Sequence, residues 1–99
     1  MLQVEQGKRL KYLRLAKGLE QKHLAPIIGV NPNMISYYET GQRSMSTAVI
    51  GKLVAFFSAT WAYFIEGDFD SLPHWLKGPV REVQLIEEMN PPKPRRRKR

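Results

Sequence analysis

The sequence predicts an all-α fold: five short helices in one bundle, then a short C-terminal extension and a disordered basic tail. Three observations carry this. Apolar residues recur three and four positions apart. The runs open at small capping side chains and close at glycines. Only a few residues separate one run from the next, as in a compact helical bundle.

The first helix is expected over roughly residues 4–17. Leu10 and Leu13 lie on one face, with Lys8, Arg9, Lys11 and Arg14 around them, and Gly18 ends it. The second covers roughly Gln21 to Ile28 and stops at Gly29. Pro26 falls inside it and lacks the amide that would bond to the Lys22 carbonyl, so this helix is expected to begin late, bend, or tighten in its first turn. Asn31 caps the third helix, Pro32 takes its first position without penalty, and Gly41 follows its end at about Thr40. Ser46 caps the fourth, Thr47 to Phe57, whose inner stripe is Ile50, Leu53, Val54 and Phe57. Thr60 caps the fifth, Trp61 to Glu66, which stops at Gly67.

Beyond Gly67 the pattern weakens. Pro79 is read as the first residue of a sixth helix running through Asn90. The alternation of Val83 and Leu85 with polar neighbours leaves a short strand as the alternative. The end, NPPKPRRRKR, has no apolar side chain to bury beyond its prolines and is expected to be disordered when free. The chain is thus divided at 1–67, 68–90 and 91–99.

Composition narrows the function classes. A hydrophobic content of 42% in 99 residues fits one folded domain rather than a disordered chain. Cysteine is absent, which leaves no disulfide framework and no thiolate metal site. No run approaches the roughly 18 apolar residues of a membrane span, and MLQVEQGKRLKYL puts charges where a signal peptide needs its apolar core. A soluble, cytoplasmic protein is expected. The net charge of +7 divides into +5 over residues 1–60, −4 over 61–90 and +6 over 91–99. Basic ends around an acidic middle point to a polyanionic partner met by the ends. His23 and His74 are isolated, Asp68 and Asp70 form a lone acidic pair, and no nucleophile has an oriented base. No enzyme, cofactor or metal is expected.

The segment Leu19 to Arg43, LEQKHLAPIIGVNPNMISYYETGQR, has the layout of two short helices joined by a tight glycine turn. Such a pair places its second helix in the major groove of DNA. Asn33 offers an amide that bonds adenine bidentately. The Tyr37 ring can lie against a thymine methyl, and Met34 can add apolar contact. Helix phase ranks Asn33 and Tyr37 ahead of Met34 as contacts.

From Gly7 to Asp68 the chain resembles the lambda-repressor/Cro-type helix-turn-helix family. The matching landmarks are Gly7-Lys8-Arg9-Leu10, Leu13-Arg14, Gly18-Leu19, Gln21, Leu24-Ala25, Gly29-Val30, Ile35-Ser36, Glu39, Gly41 and Arg43, in order and at the family's spacing. The ISYYETG run and the small size are similar to the short phage and prophage immunity repressors. The resemblance implies a lambda-repressor-like DNA-binding bundle. It implies that Asn33 and Tyr37 read base edges and that Pro32 caps rather than reads. It implies that Gln21 touches a phosphate, with Ser36, Gln42 and Arg43 on the DNA backbone; Lys22 is placed with these backbone contacts. It also implies that Ala25 is small because the third helix crosses there, that Gly29 takes a left-handed turn, and that Val30, Ile35 and Tyr38 are core positions. Arg14 and Glu39 are implied to pair with each other and lock the first helix to the third. Ser58-Ala59 departs from the family's Gly-Val, which implies strained dihedrals at Ser58.

One such motif reads only a few base pairs, so a homodimer on a palindromic double-stranded operator is expected. Its interface is expected among Trp61, Phe64, Ile65, Phe69, Leu72, Trp75 and Leu76, an apolar set larger than a small bundle needs. The expected function is a dimeric phage or prophage repressor. The alternatives are an antitoxin that masks a partner toxin and represses its own operon, or a restriction-modification controller. An antirepressor is a further expected partner. The tail is expected to follow the DNA backbone and steepen the salt dependence.

Overall fold

The computed structural model describes residues 2–89. Its elements are α1 (Leu2–Ala16), α2 (Gln21–Ile28), α3 (Pro32–Thr40), α4 (Thr47–Phe57), α5 (Trp61–Glu66), a single 3-10 turn (Phe69–Ser71) and α6 (His74–Met89). Among the described residues there are no strands, and no helix is long and apolar enough to cross a membrane. The expected basic tail, 91–99, lies outside the described residues.

Local chemistry fixes most of the helix ends. The Asn31 side chain accepts from the Met34 amide at 3.0 Å, Ser46 from Val49 at 3.1 Å and Thr60 from Tyr63 at 3.0 Å. Each satisfies an amide that the first helical turn leaves without a backbone partner. α2 lacks such a cap. Instead, both the His23 and Leu24 amides bond to the Glu20 carbonyl, at 3.0 and 3.2 Å, which tightens its first turn. Pro26 then sits on the exposed side of an uninterrupted helix. At the end of α4 the chain turns left-handed at Ser58, with φ 57° and ψ 35°. It is the described non-glycine residue with positive φ, and its amide closes the helix on the Val54 carbonyl.

The extension departs from expectation in its boundary. α6 starts at His74, five residues before Pro79, and no strand forms around Val83 and Leu85. The Leu76 and Lys77 amides both bond to the Pro73 carbonyl, at 2.9 and 3.2 Å, so the helix is nucleated there. Leu76 and Val80 are buried one turn apart, and their packing outweighs the Gly78-Pro79 interruption, which locally marks a helix start.

α1 is the spine. It packs against α3, α5 and α6, while α2 lies on α3 and α4. The core runs from Leu10 and Leu13 through Leu24, Ile28 and Ile35 to Leu53, Phe57 and Phe64, and continues into Leu72, Leu76 and Val80. α6 therefore extends the bundle's own core. The α1–α3 contact is the closest: a β-carbon on Gly7 would collide with the Tyr38 carbonyl oxygen and come within 3.0 Å of that of Glu39.

Candidate nucleic-acid interface

The two faces of α3 differ sharply. Ile35, Tyr38 and Glu39 are buried, whereas Pro32, Asn33, Tyr37 and Thr40 are exposed. Asn33, Tyr37 and Thr40 follow one another at four and three residues, so their side chains share a face. Met34 is half-buried and packs against the core, with only part of its side chain turned outward. Ser36 is also half-buried. Its carbonyl, with that of Tyr37, receives the Thr40 hydroxyl at 3.0 and 3.4 Å.

The turn after α3 is built to hold its place. Gly41 adopts φ 79°, and the Gln42 and Arg43 amides both bond to the Tyr37 carbonyl, at 2.9 and 3.2 Å. Gln42 and Arg43 are exposed beside the open face of α3. The Arg43 guanidinium lies over the Tyr37 ring, 5.9 Å from its centre, within cation–π range. Gln3 reaches across from α1: its amide nitrogen donates to the Gly41 carbonyl, and its Oε1 accepts from Ser44 Oγ at 2.6 Å. Sequence reasoning did not single out Gln3, because its partners stand about forty residues away and meet it only once the chain has folded. Thr40 was also passed over, although its spacing from Asn33 and Tyr37 marks it.

Beneath the open face, the Glu39 carboxylate joins three helices. It receives Arg14 Nε at 2.6 Å on Oε2, and Arg14 Nη2 at 3.1 Å together with Gln21 Nε2 at 3.1 Å on Oε1. Arg14 Nη1 also donates to the Leu19 carbonyl at 2.8 Å. Arg14 and Glu39 are both buried. The amide nitrogen of Gln21 is thus engaged inside the protein, and only the rest of that side chain faces outward. Lys22 is exposed next to it, 3.6 Å from Glu20 Oε1 in a solvent-exposed pair.

The seven apolar residues of the expected interface do not form one surface. Phe64, Leu72 and Leu76 fill the core of the single chain and are unavailable to a second copy. Phe69 is half-buried and carries the Arg81 guanidinium 4.5 Å from its ring centre. Trp61 (45% exposed), Ile65 (39%) and Trp75 (58%) do reach the surface. Leu85 and Met89 on α6 are exposed as well, and sequence reasoning missed them because their segment was divided between helix and strand.

The model of a helix-turn-helix family matches residues 10–64, which run from the core of α1 to α5. Two proteins of known role are similar to the chain. The cryptic phage CTXphi transcriptional repressor RstR of Vibrio cholerae is 26% identical over 80 residues, covering 81% of this chain and 72% of that protein. The antitoxin PezA of Streptococcus pneumoniae is 34% identical over 62 residues, covering 63% of this chain but only 39% of the antitoxin. No solved structure matches.

Proposed function

The chain belongs to this helix-turn-helix family of DNA-binding regulators, and on that premise we propose that it is a dimeric phage or prophage repressor that lays α3 in the major groove of a palindromic operator. One observation carries the reading. Asn33 and Tyr37 stand side by side on the one open face of a helix whose other faces are pinned to α1 and α2. In this reading Asn33 and Tyr37 read base edges, with Met34 adding a partial apolar contact. Lys22, Ser36, Gln42 and Arg43 hold the phosphates, and the outer part of Gln21 joins them. Arg43 additionally steadies the Tyr37 ring. Arg14 and Glu39 are structural. Residues 1–67 form the DNA-binding unit. α6 extends it, and the remaining basic tail adds phosphate contacts. The setting is the cytoplasm of a bacterial or infected cell. The similarity to a phage repressor over most of the chain supports this choice.

The test is binding to a selected operator and to single-base variants of it. Asn33→Ala should lose about 1–3 kcal/mol of discrimination at one base position per half-site. Lys22→Ala should weaken all sites alike and reduce the salt slope by about one. Equal affinity of the parent chain for operator and scrambled DNA would overturn the proposal.

The antitoxin reading has its own support in the PezA similarity and in the exposed Trp75, Leu85 and Met89 of α6. Under it, α6 binds a toxin of unrelated sequence rather than a second copy. A chain that expresses alone as a soluble homodimer and represses without a partner argues for the repressor.

A further inference from the structure

A cleft of about 400 Å³ opens on the side of α1 turned away from α3, between α1, α5, the 3-10 turn and α6. We propose that this cleft binds a small singly charged carboxylate with a compact apolar body.

The starting point is Tyr63. Its side chain is buried in the cleft wall, and its hydroxyl has no hydrogen-bond partner among the described residues. Buried hydroxyls are nearly always bonded, so a stranded one points to a missing acceptor. Burial pushes the phenol's pKa far above its ordinary value, which keeps the proton in place and the group a donor.

The rest of the wall supplies what a carboxylate needs. Arg9 and Arg81 both line it. Arg9 Nη1 is held by the Phe64 carbonyl at 2.9 Å. Its guanidinium lies over Gly67, where a β-carbon would approach Nη2 to 2.7 Å, so the glycine makes its seat. The Arg81 guanidinium stands over the Phe69 ring, 4.5 Å from its centre. Lys8 adds a third cation, and Glu5 and Glu88 supply two carboxylates, which leaves the wall one positive charge in excess. Among the described residues none of these five charged groups forms an ion pair. One excess charge is neutralised by a monoanion, and the apolar part of the wall favours a carboxylate on a compact apolar body over a bare, strongly hydrated phosphate. Tyr12, Phe69 and Leu85 give the apolar body its walls. The Tyr63 hydroxyl is shielded from solvent, so binding requires a local side-chain adjustment of the cleft wall that admits the acceptor. The site shares no residue with the proposed DNA face, and its test is independent of that reading.

Benzoate is the probe, with benzamide as its uncharged counterpart and inorganic phosphate as an anion without an apolar body. Titrated into the full chain, benzoate should shift the Tyr63 and Tyr12 ring resonances saturably and raise the melting temperature, whereas benzamide should do neither. Phosphate should bind more weakly than benzoate. Tyr63→Phe strands no polar atom and keeps the packing, and it should bind benzoate about tenfold more weakly, as expected for one lost hydrogen bond to a charged group. Arg81→Gln should do the same with unchanged helix content. Absence of a saturable shift, benzamide binding as well as benzoate, phosphate binding more tightly, or Tyr63→Phe retaining full affinity would overturn the assignment.

Discussion

Arg14 is the side chain that the fold can least spare. Its guanidinium gives three hydrogen bonds, two of them to the buried Glu39 carboxylate. Arg14→Met leaves that carboxylate in the core with only Gln21 as a donor, and should lower the unfolding free energy by about 3–5 kcal/mol in urea titrations. Ser58 shows the opposite case. It holds a left-handed conformation that costs a side-chain-bearing residue about 1–2 kcal/mol, and it is exposed. Ser58→Gly relieves that strain and should raise the melting temperature by about 4–8 °C, part of the gain being offset by the freer unfolded chain. Tyr63 adds a pH dependence. Its phenol titrates near pH 10 when unfolded, and burial raises the folded value above that. The stability linked to this shift is fully present below about pH 10 and is lost as the pH rises further, by at most about 1.4 kcal/mol per unit. Urea midpoints compared at about pH 9 and 11 should therefore fall further for the parent than for Tyr63→Phe.

Backbone approaches backbone where α1 crosses α3 at Gly7. The atoms that a β-carbon would strike there are backbone carbonyl oxygens, which cannot swing away as a side chain can. Gly7→Ala should thus cost about 3 kcal/mol or more and weaken operator binding by tilting α3, with both effects read on one preparation by melting and DNA titration. The helices from α2 to α5 were legible from sequence because most of their ends are written locally, in Asn31, Ser46 and Thr60 at the starts of α3, α4 and α5 and in Gly29, Gly41 and Gly67 at the stops of α2, α3 and α5. α6 was legible only in part. Its start has a backbone carbonyl in place of a capping side chain, and its early turns depend on Leu76 and Val80 finding a core assembled by distant residues. The same division applies to the candidate interface. The outward phase of Asn33 and Tyr37 follows from helical spacing. The Gln3 bridge, the partly inward Met34 and the engaged amide of Gln21 follow from tertiary packing, which no local pattern records.

At the scale of the whole molecule, the apolar residues past α4 divide into two groups. Phe64, Leu72 and Leu76 close the chain's own core, whereas Trp61, Ile65 and Trp75 reach the surface, where the proposed dimer would use them. Replacing Trp61 and Ile65 together by Ser should shift sedimentation from dimer to monomer and weaken operator binding. The melting temperature, measured at low protein concentration where the parent is also monomeric, should change little because both side chains are already half exposed. The shared Glu39 carboxylate has a consequence for how such a molecule meets its target. By tying α1, α2 and α3 into one unit, it holds the proposed reading helix in place before any DNA arrives. Association then has little protein ordering entropy left to lose. A mismatched operator cannot be accommodated by a yielding helix, and the burden of adjustment falls on the stiffness of the DNA itself.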